Sequence, residues 1–515
     1  MRTMRRVLGS LLSFVLLLPL AAQQAVETVR YELRIADVEA KLAEVTAEFP
    51  AKGRTHVELF LPVWSPGFYR AQSYADHVQD LRATAGGAEL VVTKPKANRW
   101  SIATGGADRV RVVYRLVCAR ASVTENEIAN DYAVFCGPAT WIGEVGQLAR
   151  PHAVDVTLPD GWNDVATGLP HEGEARTRFV ARDYDWLVDS PFVLGTVATT
   201  AFSVHGARHE WAQFGNAGEW DSAAMVRRLQ PIAEELCATF GSVPFDRYVF
   251  LAGFRRSNGG LEHLDSTLLS VDRRQQPSDP DFLSFVAHEY AHAFNVKRLR
   301  PVELGPFDYE NPPTTESLWI SEGLTTWIGD LALARTGAVD RAGWLSLVSG
   351  NVRALQGSPG RKRQTLADAS RSVWNGTTSG VGGDPRTTVS YYVKGPVVGF
   401  VLEARLRVAT EGAHGLDELM RRAFVRWSGA KGFSAAEFEA LAAEVAGADQ
   451  SPFFERALRS TEELDYREAL DWFGLEFEPE EAGARPRWRL RVRADATPAQ
   501  QQHLDALLAR TKAPR

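Results

Sequence analysis

The sequence has little of what marks the unusual protein classes. It has 3 cysteines in 515 residues, too few for a disulfide-dense scaffold. Its 42 glycines and 26 prolines do not fit a collagen-like or low-complexity chain. Lysine and arginine form no long run and the formal charge is −6, which argues against nucleic acid as the main partner. Without internal repeats, the composition is that of a globular protein with roughly two to four domains.

A long apolar run occurs only at the N-terminus. Arg2, Arg5 and Arg6 precede the apolar residues 7–20, and Ala21-Ala22 offers a signal-peptidase site. About 14 residues are too few to span a bilayer, which needs about 20. We therefore expect residues 1–22 to be a cleaved signal peptide, although an uncleaved anchor is the alternative. The expected product is exported, periplasmic or secreted, with no membrane segment after cleavage.

Export would bring the cysteines into an oxidising compartment. Cys118 and Cys136 can form a disulfide there, and the sequence leaves open whether they do. Cys237 lies in a predicted helix and is expected to be buried. The cysteine spacings show no metal-binding pattern.

The pattern of hydrophobicity changes near residue 220. Residues 26–199 alternate apolar and polar positions in short stretches separated by turns such as Ser65-Pro66-Gly67, which predicts an antiparallel β-sandwich-like domain. A strand is predicted at 247–254. Later apolar residues recur at helical spacing, which predicts helices at 222–240, 280–296, 316–335, 342–355, 395–409, 416–427, 435–446 and 498–510. Pro231 predicts a kink or break in the first of these.

The sharpest chemical signal is a pair of histidines one helical turn apart. His288 and His292 flank Glu289 in a His-Glu-x-x-His pattern. Residues at i and i+4 share one helix face, so both imidazoles can reach one tetrahedral Zn²⁺. Glu289 projects beside them and can take a proton from the attacking water. A helix with two solvated or core histidines is the alternative interpretation.

Two histidines leave such a zinc site short of a ligand. Glu322 lies among apolar neighbours in the predicted helix 316–335, where an unpaired carboxylate is costly. We predict Glu322 as the third ligand, which completes a His₂Glu set and leaves the fourth position for water. A surface glutamate is the alternative.

Two further segments carry groups suited to peptide chemistry. Gly259 and Gly260 let a backbone approach a bound peptide closely, as an edge strand that pairs with substrate requires. Glu262 beside them can hold a free α-amino group, although in isolation a Gly-Gly turn with a solvated glutamate explains the pattern better. Downstream, a phenol of the Tyr391-Tyr392 pair can donate to an oxyanion; core packing is the alternative.

Taken in this order, the segments resemble the glycyl aminopeptidase family of zinc metallopeptidases, gluzincins with a thermolysin-like catalytic domain. The likeness includes His-Ala-Phe-Asn-Val-Lys-Arg-Leu-Arg-Pro (292–301), Glu-Leu-Gly-Pro-Phe-Asp-Tyr-Glu (303–310) and the 29 residues between His292 and Glu322. In the β region it includes Leu-Pro-Val-Trp-Ser-Pro-Gly-Phe-Tyr-Arg (61–70) and Asp-Tyr-Asp-Trp-Leu-Val-Asp-Ser-Pro (183–191). It extends from about residue 29 to residue 477.

The resemblance implies an α+β multidomain protein and roles for single residues. The expected parts are an N-terminal β domain (23–200), a thermolysin-like catalytic domain (201–400), a helical domain (401–477), and a linker with a short tail (478–515). By similarity to the aminopeptidase N group, Glu262 would recognise the substrate amine and Tyr392 would stabilise the oxyanion. Family members favour small N-terminal residues such as glycine and alanine.

One departure from the family concerns the C-terminal region. Family members usually carry a PDZ domain there, but Arg-Trp-Arg-Leu (487–490), which resembles the stretch after that domain, follows the end of the catalytic part almost at once. We expect the PDZ domain to be absent between them.

The sequence thus predicts an exported aminopeptidase with one zinc ion per chain and peptides with a free N-terminus as substrates. A zinc endopeptidase, in which Glu262 merely lines the cleft, is the first alternative. A peptide-binding protein without turnover is the second. The oligomeric state is left open.

Overall fold

The computed structural model describes residues 27–256, 259–376, 383–479 and 487–511, so the predicted signal peptide lies outside the described residues. The N-terminal region is built of strands with two short helices, α1 (Gly137–Thr140) and α2 (Tyr184–Val188), and one 3₁₀ turn (Tyr74–His77). Its strands are β1 (Val29–Asp37), β2 (Leu42–Pro50), β3 (His56–Phe60), β4 (Val78–Ala85), β5 (Ala88–Glu89), β6 (Val92–Lys96), β7 (Arg99–Ala103), β8 (Arg109–Val117), β9 (Glu127–Ile128), β10 (Tyr132–Phe135), β11 (Gly143–Glu144), β12 (His152–Thr157), β13 (Asp164–Ala166), β14 (His171–Glu172), β15 (Arg178–Ala181) and β16 (Phe192–Gly195).

These strands form three sheets around one hydrophobic core. The largest has the order β14-β15-β12-β1-β2-β8-β4-β5, and the two smaller ones have the orders β13-β16-β10-β9 and β11-β3-β7-β6. Alternation buries every second residue of the central strands, for example Tyr31, Val45 and Tyr114. The expected β domain is confirmed, and most of its strand pairs are antiparallel, although β1 and β12 run parallel.

The second region opens with a five-stranded sheet of order β17-β18-β19-β21-β20. Its strands are β17 (Ala198–Val204), β18 (Ala207–Gly215), β19 (Arg247–Phe254), β20 (Gly260–Glu262) and β21 (Ser266–Ser270). β18, β19 and β21 are parallel, whereas β20 pairs antiparallel with β21 and forms the edge of the sheet.

Helices cover this sheet and make up the rest of the chain. They are α3 (Ser222–Phe240), α4 (Pro280–Ala291), α5 (Thr325–Thr336), α6 (Arg341–Gly357), α7 (Leu366–Arg371), α8 (Tyr391–Ala409), α9 (Leu416–Trp427), α10 (Ala435–Ala446), α11 (Ser451–Phe454), α12 (Arg467–Phe473) and α13 (Pro498–Leu508). Short 3₁₀ turns lie at Val302–Leu304, Pro359–Lys362 and Val373–Asn375, and π-helical turns at Trp319–Leu324 and Glu455–Arg459. Together the regions confirm the expected α+β architecture.

Some details of the predicted helices are wrong. α3 runs without a break across Pro231, because apolar residues on both sides, such as Leu229 and Ile232, are fully buried and hold the helix on the core. The predicted helix 316–335 is a π-helical turn followed by α5. The predicted helix 280–296 ends as a regular helix at Ala291, and irregular turns follow.

The C-terminal residues pack onto this core. β22 (Leu475–Phe477) pairs antiparallel with β23 (Leu490–Val492), so only twelve residues separate the two strands, and a domain of ordinary size, about 50 residues or more, has no room between them. In α13, Leu504 and Leu507 are fully buried.

All three cysteines are free and buried, so Cys118 and Cys136 form no disulfide in this structure. Within the described ranges, no helix combines the length and the apolar character that a membrane crossing requires.

Candidate active site

The two histidines of the sequence motif converge at the end of α4. Their Nε2 atoms lie 2.9 Å apart. The His292 Nδ1 atom is 2.8 Å from the Asn295 carbonyl oxygen, and the His288 Nδ1 atom is 3.0 Å from the Thr326 hydroxyl. Because a carbonyl only accepts, His292 donates from Nδ1 and leaves the Nε2 lone pair for a ligand bond. Both rings are thus held in the orientation that a metal ligand needs.

Glu322 completes the group from the facing π-helical turn. Its Oε2 atom lies 3.5 Å from His288 Nε2 and 3.3 Å from His292 Nε2. Four ligands placed tetrahedrally at about 2.0–2.1 Å from zinc stand about 3.3 Å apart. The burial of Glu322 raises the pKa of its carboxyl, but the charges and hydrogen bonds of His292 and His288 together outweigh burial and lower that pKa to about 2. The three donors therefore fit a zinc ion in both chemistry and spacing.

Two glycines bring the elements of the site together. A Cβ on Gly323 would lie 2.4 Å from the Gly395 Cα atom, so the turn that carries Glu322 packs directly on α8. α8 begins at Tyr391, and its first turn carries Tyr392. π-Helical turns are rare and occur frequently at functional sites, and this one sets Glu322 opposite α4. Gly395, three residues after Tyr392, is therefore a packing residue.

Glu289 lies between the metal site and the edge strand. Its side chain is buried, and its Oε2 atom has no hydrogen-bond partner among the described residues. Burial, together with the carboxylates of Glu262 and Glu322, raises the pKa of Glu289 to about 8 against the opposing effect of His292. A Cβ on Gly260 would lie 2.4 Å from Glu289 Oε1, so β20 runs directly past this carboxylate.

Glu262 is a second buried carboxylate on the same strand. It is 3% exposed, and its Oε1 atom has no hydrogen-bond partner within the described ranges. Burial raises its pKa, with His292 opposing and Glu322 adding to the shift. Gly67 of the N-terminal domain closes over it, since a Cβ there would lie 2.4 Å from Glu262 Oε1. Because a buried carboxylate without a partner is costly, this position favours the binding of a cation.

Three tyrosines border the metal site. The Tyr392 ring centroid lies 6.4 Å from that of His288 and 4.8 Å from that of Tyr391. Tyr69 comes from the N-terminal domain and is 3% exposed. Burial and the nearby carboxylates of Glu322 and Glu262 raise the pKa of Tyr69 well above its usual value.

The structure thus brings together all the residues predicted for the site, with Gly259 at the entrance of the edge strand. Gly67, Tyr69, Asn295 and Thr326 also contribute to the site, and the sequence did not predict these four roles. Thr326 follows Glu322 by four residues, a helical spacing that offers a signal. Tyr69 offers no such signal in the sequence, because Glu262 and Glu322 lie about 200 residues or more further along the chain.

The segments of the β region that resemble the family lie where the two regions meet. Asp189 accepts hydrogen bonds from His263 Nδ1 (3.1 Å), the Leu264 amide (2.9 Å) and Lys297 Nζ (2.7 Å). Trp64 donates from Nε1 to the Asp308 carbonyl at 2.7 Å. These contacts hold the N-terminal domain against the segments that follow β20 and α4, and so fix Gly67 and Tyr69 over the site.

A His₂Glu donor set, a glutamate beside it and an edge strand along the cleft define a zinc metallopeptidase with a thermolysin-like catalytic domain. Residues 30–196 match the Peptidase M61 N-terminal domain, and residues 281–398 match the M61 glycyl aminopeptidase description. The chain belongs to the M61 glycyl aminopeptidase family, and it is a zinc aminopeptidase.

Solved structures support the same assignment. An aminopeptidase N family protein from Idiomarina loihiensis is 27% identical, with a TM-score of 0.81 over 87% of this chain and 78% of that one. An M1 zinc metallopeptidase from Deinococcus radiodurans, solved as a variant bound to a Tyr-Ser-Ala substrate, is 13% identical, with a TM-score of 0.56 over 85% of this chain and 95% of that one. Yeast LTA4 hydrolase is 13% identical, with a TM-score of 0.51 over 85% of this chain and 68% of that one. The last two show the fold alone. No curated protein matches the chain significantly.

Proposed function

We propose that this protein is an exported aminopeptidase that binds one zinc ion per chain and removes small residues, glycine and alanine, from the N-terminus of peptides. His288, His292 and Glu322 hold the zinc. Glu289 is the general base, Tyr392 stabilises the oxyanion, and Glu262 with Gly259 and Gly260 binds the substrate. The apolar run behind Arg2, Arg5 and Arg6 supports export through a signal peptide.

The observation that carries the proposal is the buried Glu262 carboxylate. It has no hydrogen-bond partner for Oε1 among the described residues, and it lies two residues from Gly260, which packs on Glu289. A free α-ammonium group would supply the missing positive charge and hydrogen bonds. Such an anchor sets the first peptide bond, and no later one, beside the base.

When bound, zinc supplies Lewis acidity to the scissile carbonyl and to the attacking water. Glu289 takes the proton of that water and delivers a proton to the leaving amine. Burial raises the pKa of this carboxyl to about 8 and so favours proton uptake. The Tyr392 hydroxyl donates to the oxyanion as negative charge develops there, the kind of contact whose loss costs about 10²–10³ in rate.

The close packing around Glu262 supports a preference for small first residues. Gly67 covers the carboxylate, and Tyr69 and Tyr391 pack against each other, with ring centroids 6.5 Å apart. We expect this packing to leave little width for the first side chain beside the anchored amine.

Alanyl p-nitroanilide and its N-acetyl form test the proposal with the wild-type protein and Glu262→Ala. We expect the wild type to hydrolyse the free-amine substrate and leave the acetylated one intact. Glu262→Ala should lower kcat/KM for the free amine by about 10² or more, since a buried charge-assisted contact is lost. Hydrolysis of the acetylated substrate by the wild type would favour the endopeptidase instead. Equal loss on both substrates would refute the amine anchor.

A further inference from the structure

A basic cleft continues the active site beyond Gly259. We propose that it binds the C-terminal carboxylate of short peptide substrates, so that the enzyme prefers free peptides of a few residues to longer chains. This inference rests on the proposed aminopeptidase activity, because the direction of the bound peptide follows from Glu262.

The direction of the peptide is set by two carboxylates on one strand. β20 runs from Gly260, which packs on Glu289, to Glu262, and its outer edge is unpaired within the sheet. A substrate with its amine on Glu262 and its first peptide bond beside Glu289 runs antiparallel to β20 and can add to this edge as a strand. Its remaining residues then leave the site past Gly259.

A large cavity lies at that position. It has a volume of about 930 Å³, and Gly259 is part of its wall. Phe285 lines it from α4, one helical turn before Glu289 and therefore on the same helix face. The cavity is thus placed to receive the residues that follow the cleaved bond.

Two donors without a hydrogen-bond partner lie buried in residues that form the wall of this cavity. The Arg255 side chain is fully buried, and it donates from Nη1 to Glu127 at 2.9 Å and from Nη2 to the Ser122 carbonyl at 2.8 Å. Its Nε atom and the Ser270 hydroxyl have no partner in the described part of the chain. Buried donors are normally satisfied, and because both atoms lie beneath the cavity surface, the positive charge that a ligand can reach comes from the rim.

The rim of the cavity adds positive charge. Arg256 and Arg273 line it, and neither forms an ion pair within the described residues. Asp272 also lines the cavity, but Arg274 holds its carboxylate through two Nε contacts of 3.0 Å. Arg255 is already paired with Glu127 and Asp272 with Arg274, so Arg256 and Arg273 carry the uncompensated positive charge of the cleft. This charge favours an anion, and the anion that every free peptide carries at this end is its C-terminal carboxylate.

The test compares alanine peptides of two to five residues with their C-terminal amides. For at least one length, we expect wild-type kcat/KM to be about tenfold higher for the acid, mainly through KM, since a charge-assisted contact is lost in the amide. In the double variant Arg256→Ala/Arg273→Ala, the ratio should fall to within about twofold of one. Alanyl p-nitroanilide, which has no carboxylate, should be cleaved as before. Arg467→Ala, an exposed arginine outside the cavity, is the control and should keep the wild-type ratio.

Equal kcat/KM for acid and amide at every length would overturn the proposal, as would a double variant that loses p-nitroanilide and peptide hydrolysis alike. Calorimetry with the zinc-loaded Glu289→Gln protein separates binding from turnover. Tighter binding of the acid than of the amide would support the cleft even if hydrolysis failed for another reason. Equal binding of both would refute the cleft while leaving the aminopeptidase proposal intact.

Discussion

Tyr69 links the N-terminal domain to the chemistry of the site. It lies in a segment far from the catalytic motif in sequence, yet its hydroxyl is buried next to Glu322 and Glu262. A phenol beside a metal-binding carboxylate can donate to it and fix its orientation. The Tyr69 hydroxyl has no hydrogen-bond partner among the described residues, and we expect it to donate to Glu322 and to position that carboxylate from a different domain.

Tyr69→Phe tests this role because it removes one oxygen and keeps the ring. We expect kcat on alanyl p-nitroanilide to fall about tenfold to a hundredfold, or zinc affinity to fall by a similar factor, as for other groups that orient metal ligands. Tyr74→Phe is the matched control, since Tyr74 is also a buried tyrosine of the N-terminal domain whose hydroxyl has no partner among the described residues. Unchanged kcat and zinc affinity in Tyr69→Phe would contradict the role.

At the residue scale, the sequence predicted the site residues whose positions follow from short-range spacing. His288, Glu289 and His292 are set by the helical repeat of one element, and Glu322 follows from its apolar surroundings. Tyr69 and Gly67 act across the boundary between two regions, so no short-range pattern reveals them.

The π-helical turn Trp319–Leu324 is the element on which the metal site depends. It packs on α8 through Gly323 and Gly395, with no room for a side chain at the crossing. The same contact holds both Glu322 and the first turn of α8, which carries Tyr392. One glycine pair therefore sets the distance between a metal ligand and the proposed oxyanion donor.

Gly323→Ala should separate these two elements. Its Cβ would lie 2.4 Å from a backbone atom, so α8 or the turn must shift. We expect a fall in Tm, with an unfolding free energy lower by about 1–3 kcal/mol, and weaker zinc binding. Gly350→Ala in α6 is the control, because a Cβ there meets nothing within 4 Å; it should raise stability by up to about 1 kcal/mol. If both variants bind zinc and melt like the wild type, the crossing does not control the site.

The sequence predicted most elements of the catalytic region and not their irregularities. α9 and α10 match the predicted helices residue for residue, because strong periodicity and clear ends define them. The π-helical turn inserts one extra residue into a helix, and the apolar pattern continues on both sides of it. Hydrophobic periodicity alone therefore predicts a single α-helix.

The molecule as a whole is held together at the site by a buried charge cluster. Asp189 of the N-terminal domain bonds His263 and Lys297, which follow Glu262 and His292 closely in sequence. Burial raises the pKa of Asp189, but Lys297 and His263 more than offset it, and the net pKa lies below the usual value. Asp189 therefore both holds the two regions together and fixes the position of Glu262.

Asp189→Asn should weaken both the fold and the site, because Lys297 is left buried without its counter-charge. Breaking a buried pair costs about 3–5 kcal/mol of unfolding free energy, and KM for alanyl p-nitroanilide should rise as Glu262 becomes less firmly held.

The effect of the substitution should depend on pH. Since the folded pKa of Asp189 is lowered, the contribution of Asp189 to stability is present above the usual carboxyl pKa of about 4 and is lost as the pH falls through the folded value. The Tm difference from wild type should therefore be full at pH 7 and shrink below about pH 4. Asp465→Asn, which breaks an exposed pair with Arg467, is the control and should cost less than about 1 kcal/mol. A Tm for Asp189→Asn equal to that of the control would contradict the anchor.

At the scale of the molecule, the sequence indicated a β region followed by a mainly helical one, because hydropathy periods change clearly near residue 220. It could not indicate how the regions dock, since Asp189 and Lys297 are 108 residues apart and their pairing exists only in the folded chain. Nor did it predict that α13 returns to the core, where Leu507 accepts a hydrogen bond from Arg335 Nε at 3.0 Å.

The most direct test of the account is turnover of alanyl p-nitroanilide by the protein before and after removal of its zinc, with N-acetyl-alanyl p-nitroanilide alongside. We expect one zinc per chain, hydrolysis of the free-amine substrate alone, loss of that activity on chelation and its return when one equivalent of zinc is added. Activity that survives complete removal of zinc, or equal hydrolysis of the acetylated substrate, would contradict a zinc aminopeptidase anchored on Glu262.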